Sequence, residues 1–258
     1  MIFLRSLVFN IAFHVWTAIV CIGLLPTLLL PRTAMMRAII GYFRSVAWLE
    51  RTIVGIRYEV RGREHVPTSG SFILAAKHQS AWETMKLHLL VNDPAIILKR
   101  ELMWIPIWGW YAAKSKMIAV DRGARGRAVA SLVKNSKPVR DQRRPIVIFP
   151  QGTRVAVGAY RPYRIGVGVL YENLDIPIVP MALNAGLYWA RHSFIKRPGT
   201  VVVEFLPPIP PGLGRARVMQ VLEERLEAAS DRLVVAAGGP ATVRPEPETA
   251  PPVATTAG

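Results

Sequence analysis

Cysteine is nearly absent from this chain. Its one thiol, Cys21, excludes an internal disulfide and a zinc site built on cysteines. Lying inside an apolar run, it reads as a small hydrophobe. Acids are scarce as well: 17 Asp and Glu stand against 33 Lys and Arg, a formal net charge of +16. Such a surplus invites a nucleic-acid reading. Yet 51% of the residues are hydrophobic, and the arginines are dispersed among strand candidates with no RNP-like or helix-turn-helix pattern. No nucleic-acid partner is expected. An anionic lipid surface and a phosphorylated substrate explain charge and hydrophobicity together. No internal repeat is visible, and residues 238–258 carry almost no large apolar side chain, so they read as a disordered tail.

Charge is missing altogether from residues 6–31, a run rich in Leu, Ile, Val and Phe. As one helix it would be roughly 39 Å long, enough for a hydrocarbon core of about 30 Å. The run is too long for a signal-peptide core, and no small-x-small cleavage site follows it. Pro26 offers a bend, so a re-entrant or interface-lying helix pair is the alternative to a span. Arg5 precedes the run, whereas Arg32, Arg37, Arg44, Arg51 and Arg57 follow it, which places the rest of the chain on the cytoplasmic face of a membrane. Arg37, Arg44 and Arg51 recur every seven residues and form one stripe on a helix. A basic amphipathic helix at the headgroup level gains about 1 kcal/mol for each arginine near anionic lipid. An ordinary surface helix packed on the core is the competing reading. Residues 1–55 are thus expected to be a membrane-embedded anchoring segment.

From residue 56 the pattern alternates. Strands are expected over 56–60, 72–76, 95–98, 117–120, 146–149, 178–183 and 201–205, and helices over 81–91, 124–135, 165–174 and 216–235. This predicts an α/β domain over 56–237, with a largely parallel sheet flanked by helices. Ligands of such sheets sit outside the carboxyl ends of the strands. The aromatic run 102–111, with Trp104, Trp108 and Trp110, fits either a membrane-facing patch or core packing.

The chemistry gathers at strand ends. His78 follows the strand at 72–76, and Glu83 follows five positions later. An imidazole that ionises near neutral pH, oriented by a carboxylate, is how a general base is built. Ser80 and Glu83 also fit S-x-x-E, a capping box with no catalytic meaning. The strand at 146–149 runs into Pro150-Gln151-Gly152-Thr153-Arg154, where a glycine permits close backbone approach and an arginine offers a fork that matches phosphate oxygens. Arg122 ends the block Met117–Gly123, and residues 175–180 form a strand with a proline at each side.

These four blocks, in this order over about residues 57–206, resemble the signatures of the glycerolipid acyltransferases. In that family they read His-x4-Asp, an Asp-Arg after an apolar strand, Phe-Pro-Glu-Gly-Thr-Arg, and a Val-Pro-rich strand. The resemblance implies transfer of a fatty acyl group from acyl-CoA or acyl carrier protein to the hydroxyl of lysophosphatidic acid. It assigns His78 as base, Glu83 as its orienting acid, and Arg154 and Arg122 to the substrate phosphate, with Lys99, in a family-like Lys-Arg-Glu-Leu element, beside them. Gln151, Gly152 and Thr153 would shape the turn. No metal, cofactor or acyl-enzyme is implied, and the partners are membrane lipids and the two substrates. Two residues depart from the pattern. Glu83 stands where Asp is usual and adds a methylene. Gln151 stands where Glu is usual and drops a negative charge, making a phosphate site more positive. Both departures leave open an acyltransferase for another lysolipid, such as a lyso-ornithine lipid. A membrane-binding protein without catalysis is the reading from another class.

Overall fold

The computed structural model describes residues 1–121, 123 and 126–243. Arg122, expected among the phosphate ligands, lies outside the described residues. So do 124–125, at the start of an expected helix, and 244–258 of the expected tail.

The apolar leader divides. Helix α1 (Ile2–Gly23) ends well before residue 31, a short 3-10 turn (Leu25–Leu28) follows, and helix α2 (Arg32–Leu49) turns back along α1. The single long helix over 6–31 is therefore replaced by a hairpin. Pro26 sits inside the turn, where its missing amide donor is tolerated. Trp16 Nε1 donates to Ser45 Oγ at 2.7 Å, and Thr17 Oγ1 meets the Tyr42 hydroxyl at 2.8 Å, closing the pair. At 22 residues α1 is long and apolar enough to cross a membrane.

One edge of α1 belongs to the core: Ser6 and Phe9 are fully buried. Its outer face, Leu4, Val8, Ile11, Val15, Ile19 and Ile22, is exposed at helical spacing. On α2 Arg37, Arg44 and Trp48 are exposed, as is Arg51 just beyond it, so the basic stripe faces outward. Trp104, Trp108 and Trp110 are likewise exposed, which favours the patch reading of the aromatic run over core packing.

A π-helical turn (Glu50–Val54) leads into the sheet. Its strands are β1 (Ile56–Arg61), β2 (Ile73–Ala76), β3 (Ala95–Lys99), β4 (Ile118–Val120), β5 (Ile146–Ile148), β6 (Ile178–Leu183) and β7 (Gly199–Phe205). All seven coincide with expected strands, in the order β1-β7-β6-β2-β5-β3-β4. Every pairing is parallel except β6 with β7. The parallel run β6-β2-β5-β3 sends its following loops to one edge.

Helices α3 (Trp82–Leu90), α4 (Trp108–Lys114), α5 (Gly126–Asp141), α6 (Gly166–Leu174) and α7 (Arg215–Ala236) complete the domain. Strand alternation divides the core into two layers. Ile73, Ala75, Ile146 and Ile178 face Leu132 of α5, Leu170 of α6 and Leu226 of α7. Leu74, Ala76, Val147 and Val179 face Trp82 and Leu87 of α3 together with Phe9 of α1. Phe9 of α1 thus contributes to the same core as the sheet. Beyond α7 the chain stays tethered into the span expected to be tail: Thr242 Oγ1 donates to Asp231 at 2.5 Å and Val243 N donates to Gly158 O at 3.1 Å.

Candidate active site

His78 lies two residues beyond the end of β2, at the edge where the parallel strands deliver their loops. Its Nδ1 stands 2.7 Å from Glu83 Oε1. A carboxylate only accepts, so Nδ1 carries the proton and Nε2 is left as the basic nitrogen. The ring stacks on Phe149 with centroids 3.9 Å apart and planes 20° from parallel, which restrains its rotation. The imidazole keeps 14% of its side-chain surface open, whereas Glu83 is fully buried.

Glu83 Oε1 also accepts the backbone amides of Gln79 at 2.9 Å and Ser80 at 2.8 Å. The Glu83 half of the capping contact and the imidazole contact therefore converge on one oxygen. Ser80 Oγ completes the turn by accepting Trp82 N at 3.1 Å. The extra methylene of glutamate is absorbed because the carboxylate reaches back from the first turn of α3. That helix is held in turn by Glu50 of the π-helical turn. Trp82 Nε1 donates to Glu50 Oε2 at 3.0 Å, and Lys86 Nζ pairs with the same oxygen at 2.7 Å. Burial pushes the Glu50 carboxyl up and the Lys86 ammonium down, and their mutual attraction opposes both shifts.

On the other side of His78, Lys77 is buried beneath the site. Its Nζ meets both oxygens of Glu227 on α7 at 2.6 Å, and the Tyr163 hydroxyl donates to Glu227 at 2.7 Å. The acyl-signature turn comes from β5. Gly152 N donates to Phe149 O at 2.8 Å and Gly152 adopts φ +69°, the left-handed conformation that favours glycine. The stem of Arg164 lies over it, 2.7 Å from where a Cβ would stand. Gln151 is buried with no protein partner for either amide atom among the described residues, Thr153 is half-buried, and Arg154 is half-buried.

The expected phosphate residues Lys99 and Arg154 lie at and beyond the ends of neighbouring strands, β3 and β5. Lys99 closes β3, two strands from β2, and its side chain is exposed. The carbonyl of Arg154 accepts Arg191 Nη1 at 2.7 Å from the loop after β6. Several neighbours of the site were not legible in the motifs. Phe149 opens the third block, but its stack on the imidazole is a tertiary contact, and Arg164 reads as a loop arginine. Gln79 Oε1, which accepts Gly186 N at 3.0 Å, depends on a contact with a residue 107 positions away.

A family model described as Acyltransferase matches residues 57–184. The 1-acyl-sn-glycerol-3-phosphate acyltransferase of Pseudomonas aeruginosa is 37% identical over 201 residues, 78% of this chain and 78% of that protein. The enzyme of the same name from Limnanthes alba is 29% identical over 191 residues, 72% of this chain and 67% of that protein. Among solved structures, the 1-acyl-sn-glycerophosphate (LPA) acyltransferase of Thermotoga maritima superposes with a TM-score of 0.73 at 20% identity, over 90% of this chain and 98% of that one. The fold is shared with that enzyme, and by its sequence this chain belongs to the acyltransferase family.

Proposed function

We propose that the chain moves a fatty acyl group from acyl-CoA or acyl carrier protein to the sn-2 hydroxyl of lysophosphatidic acid, giving phosphatidic acid. The observation that carries this reading is the 2.7 Å His78–Glu83 pair at the ligand-binding edge of the sheet. The names of the relatives support the choice of acceptor.

In this reaction His78 Nε2 takes the proton of the acceptor hydroxyl as its oxygen attacks the thioester carbonyl. A C–O bond forms, the C–S bond breaks, and the proton passes to the departing thiolate. Glu83 holds the imidazole and stabilises the imidazolium while it lasts. Neither a metal nor a further cofactor enters the scheme. The domain over 56–237 works at the cytoplasmic face of a membrane, with residues 1–55 as its anchor. The exposed apolar face of α1 and the exposed tryptophans of 104–110 support seating in lipid. The outward arginines of α2 support contact with anionic headgroups.

The test is acyl transfer in membranes carrying the chain, with lysophosphatidic acid and a labelled long-chain donor of each kind. Wild type makes phosphatidic acid, and His78→Ala lowers the rate by about 10²–10⁴-fold, the usual worth of a positioned base. Full activity in that variant removes His78 from its role. Turnover only with other lysolipids replaces the acceptor, and no turnover with any of them sinks the enzyme reading.

A further inference from the structure

Glu50 opens the π-helical turn that joins α2 to the sheet, and only 1% of it is exposed, whereas its neighbours Arg51 and Thr52 face solvent. The turn is itself fastened: Gly55 N donates to Glu50 O, and Arg5 Nε of α1 donates to Ile53 O at 2.7 Å. The carboxylate is directed at a single element, α3. Its Oε2 accepts Trp82 Nε1 at 3.0 Å and pairs with Lys86 Nζ at 2.7 Å, and both of those side chains are fully buried. Its Oε1 has no hydrogen-bond partner among the described residues.

As a stabilising device this arrangement is poor. Desolvating two charges offsets most of their attraction, and apolar residues of the same volume commonly serve stability as well or better. What the pair supplies is direction. Apolar burial is non-directional, and a helix of nine residues is marginal by itself, so α3 takes its place from what holds it. Trp82 and Lys86 are four positions apart and lie one above the other on one face of the helix. One oxygen that grips both fixes α3 along its axis and about it. Glu83 adjoins Trp82 in the same first turn, and its Oε1 meets His78 Nδ1 at 2.7 Å. From Glu50 to the imidazole every link is a hydrogen bond or a peptide bond.

We propose that Glu50 is a positioning residue for acyl transfer: it sets the place of α3, and so the aim of the Glu83 carboxylate at His78, without touching either substrate. This rests on the acyl-transfer reading, which gives His78 its role as base. A misplacement of about 1 Å at a reacting group can cost about 100-fold in rate. A neutral imidazole that loses its acceptor redistributes its proton between the two ring nitrogens. Both effects can be measured.

Full-length protein in mixed micelles is compared as wild type, as Glu50→Gln, as Trp82→Phe, and as the double variant Glu50→Met with Lys86→Met. Glu50→Gln keeps the shape but strands the Lys86 charge, and Trp82→Phe removes only the Nε1 donor and part of the ring. The double variant leaves no lone buried charge, so it keeps the fold where Glu50→Gln does not. The expected result in the double variant is a kcat lower by about 100-fold, with KM for both substrates nearly unchanged and urea stability retained. Trp82→Phe should show a smaller loss of the same kind, and it carries the test if the double variant fails to fold. A merely structural pair would let kcat return with stability, so wild-type kcat in the folded double variant overturns the proposal.

The second readout needs no turnover. Isotope-labelled histidine, assigned with His78→Ala, reports the ring tautomer by NMR at about pH 8.5, above the ordinary histidine range. Wild type should hold the proton on Nδ1, and the variants should share it between Nδ1 and Nε2. A tautomer unchanged in the variants overturns the proposal. A shifted tautomer supports the positioning of His78 by Glu50 even where wild type transfers no acyl group, a result that counts against the enzyme reading alone.

Discussion

The amide of Val155 donates to the carbonyl of His78 at 2.8 Å, joining the turn after β5 to the loop after β2. Two motifs separated by about seventy residues of chain are thereby fixed in register, so a disturbance of one is felt by the other.

Gly152 is the point where that coupling is most exposed to substitution. A side chain there must adopt φ +69° and displace the stem of Arg164 from 2.7 Å. Left-handed backbone costs a non-glycine residue about 1–2 kcal/mol. Gly152→Val is expected to lower the melting temperature and, by shifting the turn against His78, to reduce kcat by up to about 100-fold. An unchanged kcat in a destabilised variant would show that the turn is structural only.

Glu83 serves three donors with one oxygen. Glu83→Gln keeps length and an acceptor oxygen but loses the charge that stabilises the imidazolium, so its rate should fall by about 10² or more while stability changes little. Glu83→Ala leaves buried donors unmet and should also cost about 3 kcal/mol in denaturant unfolding. Equal stability loss in the two variants would contradict this division.

The Lys77–Glu227 pair is buried at both ends, 4% and 0% exposed. Removing one partner strands the other charge, so Lys77→Met should destabilise by about 3–5 kcal/mol. The double variant with Glu227→Met should recover much of that loss, because no lone charge remains. A double-mutant cycle with no coupling would refute the pair's interdependence.

His88, at the end of α3, stacks on Phe43 of α2 with centroids 5.3 Å apart. Burial pulls its imidazole down to about 4. The unfolded chain binds the proton near pH 6.5, the folded one only near 4, so the folded state loses ground as pH falls between those values. The stability present above pH 6.5 should decline by about 3 kcal/mol by pH 4. His88→Phe should flatten that slope in urea titrations across the window. A wild-type slope that survives the substitution would assign it to other groups.

Where chemistry was local, the sequence carried it. His78 and Glu83 are five residues apart, and a strand end followed by a helix start leaves them few ways not to meet. The seven apolar runs became seven strands because β-branched stretches bounded by turn residues have no better way to bury both faces in a parallel sheet. Pro26 limited the leader for an equally local reason, though the hairpin it produces needed α2 to define it.

What depended on distant residues was decided only by tertiary packing. Ser6 and Lys196 are 190 positions apart, and Lys77 and Glu227 are 150. No periodicity or spacing pairs such residues, since their approach follows from sheet order and from which helix covers which face. The same holds for Phe149 against His78 and for the antiparallel β6–β7 pairing. Composition and local order determined the family and the strands, and brought His78 and Glu83 together. Long-range burial decided where the charges stand around them.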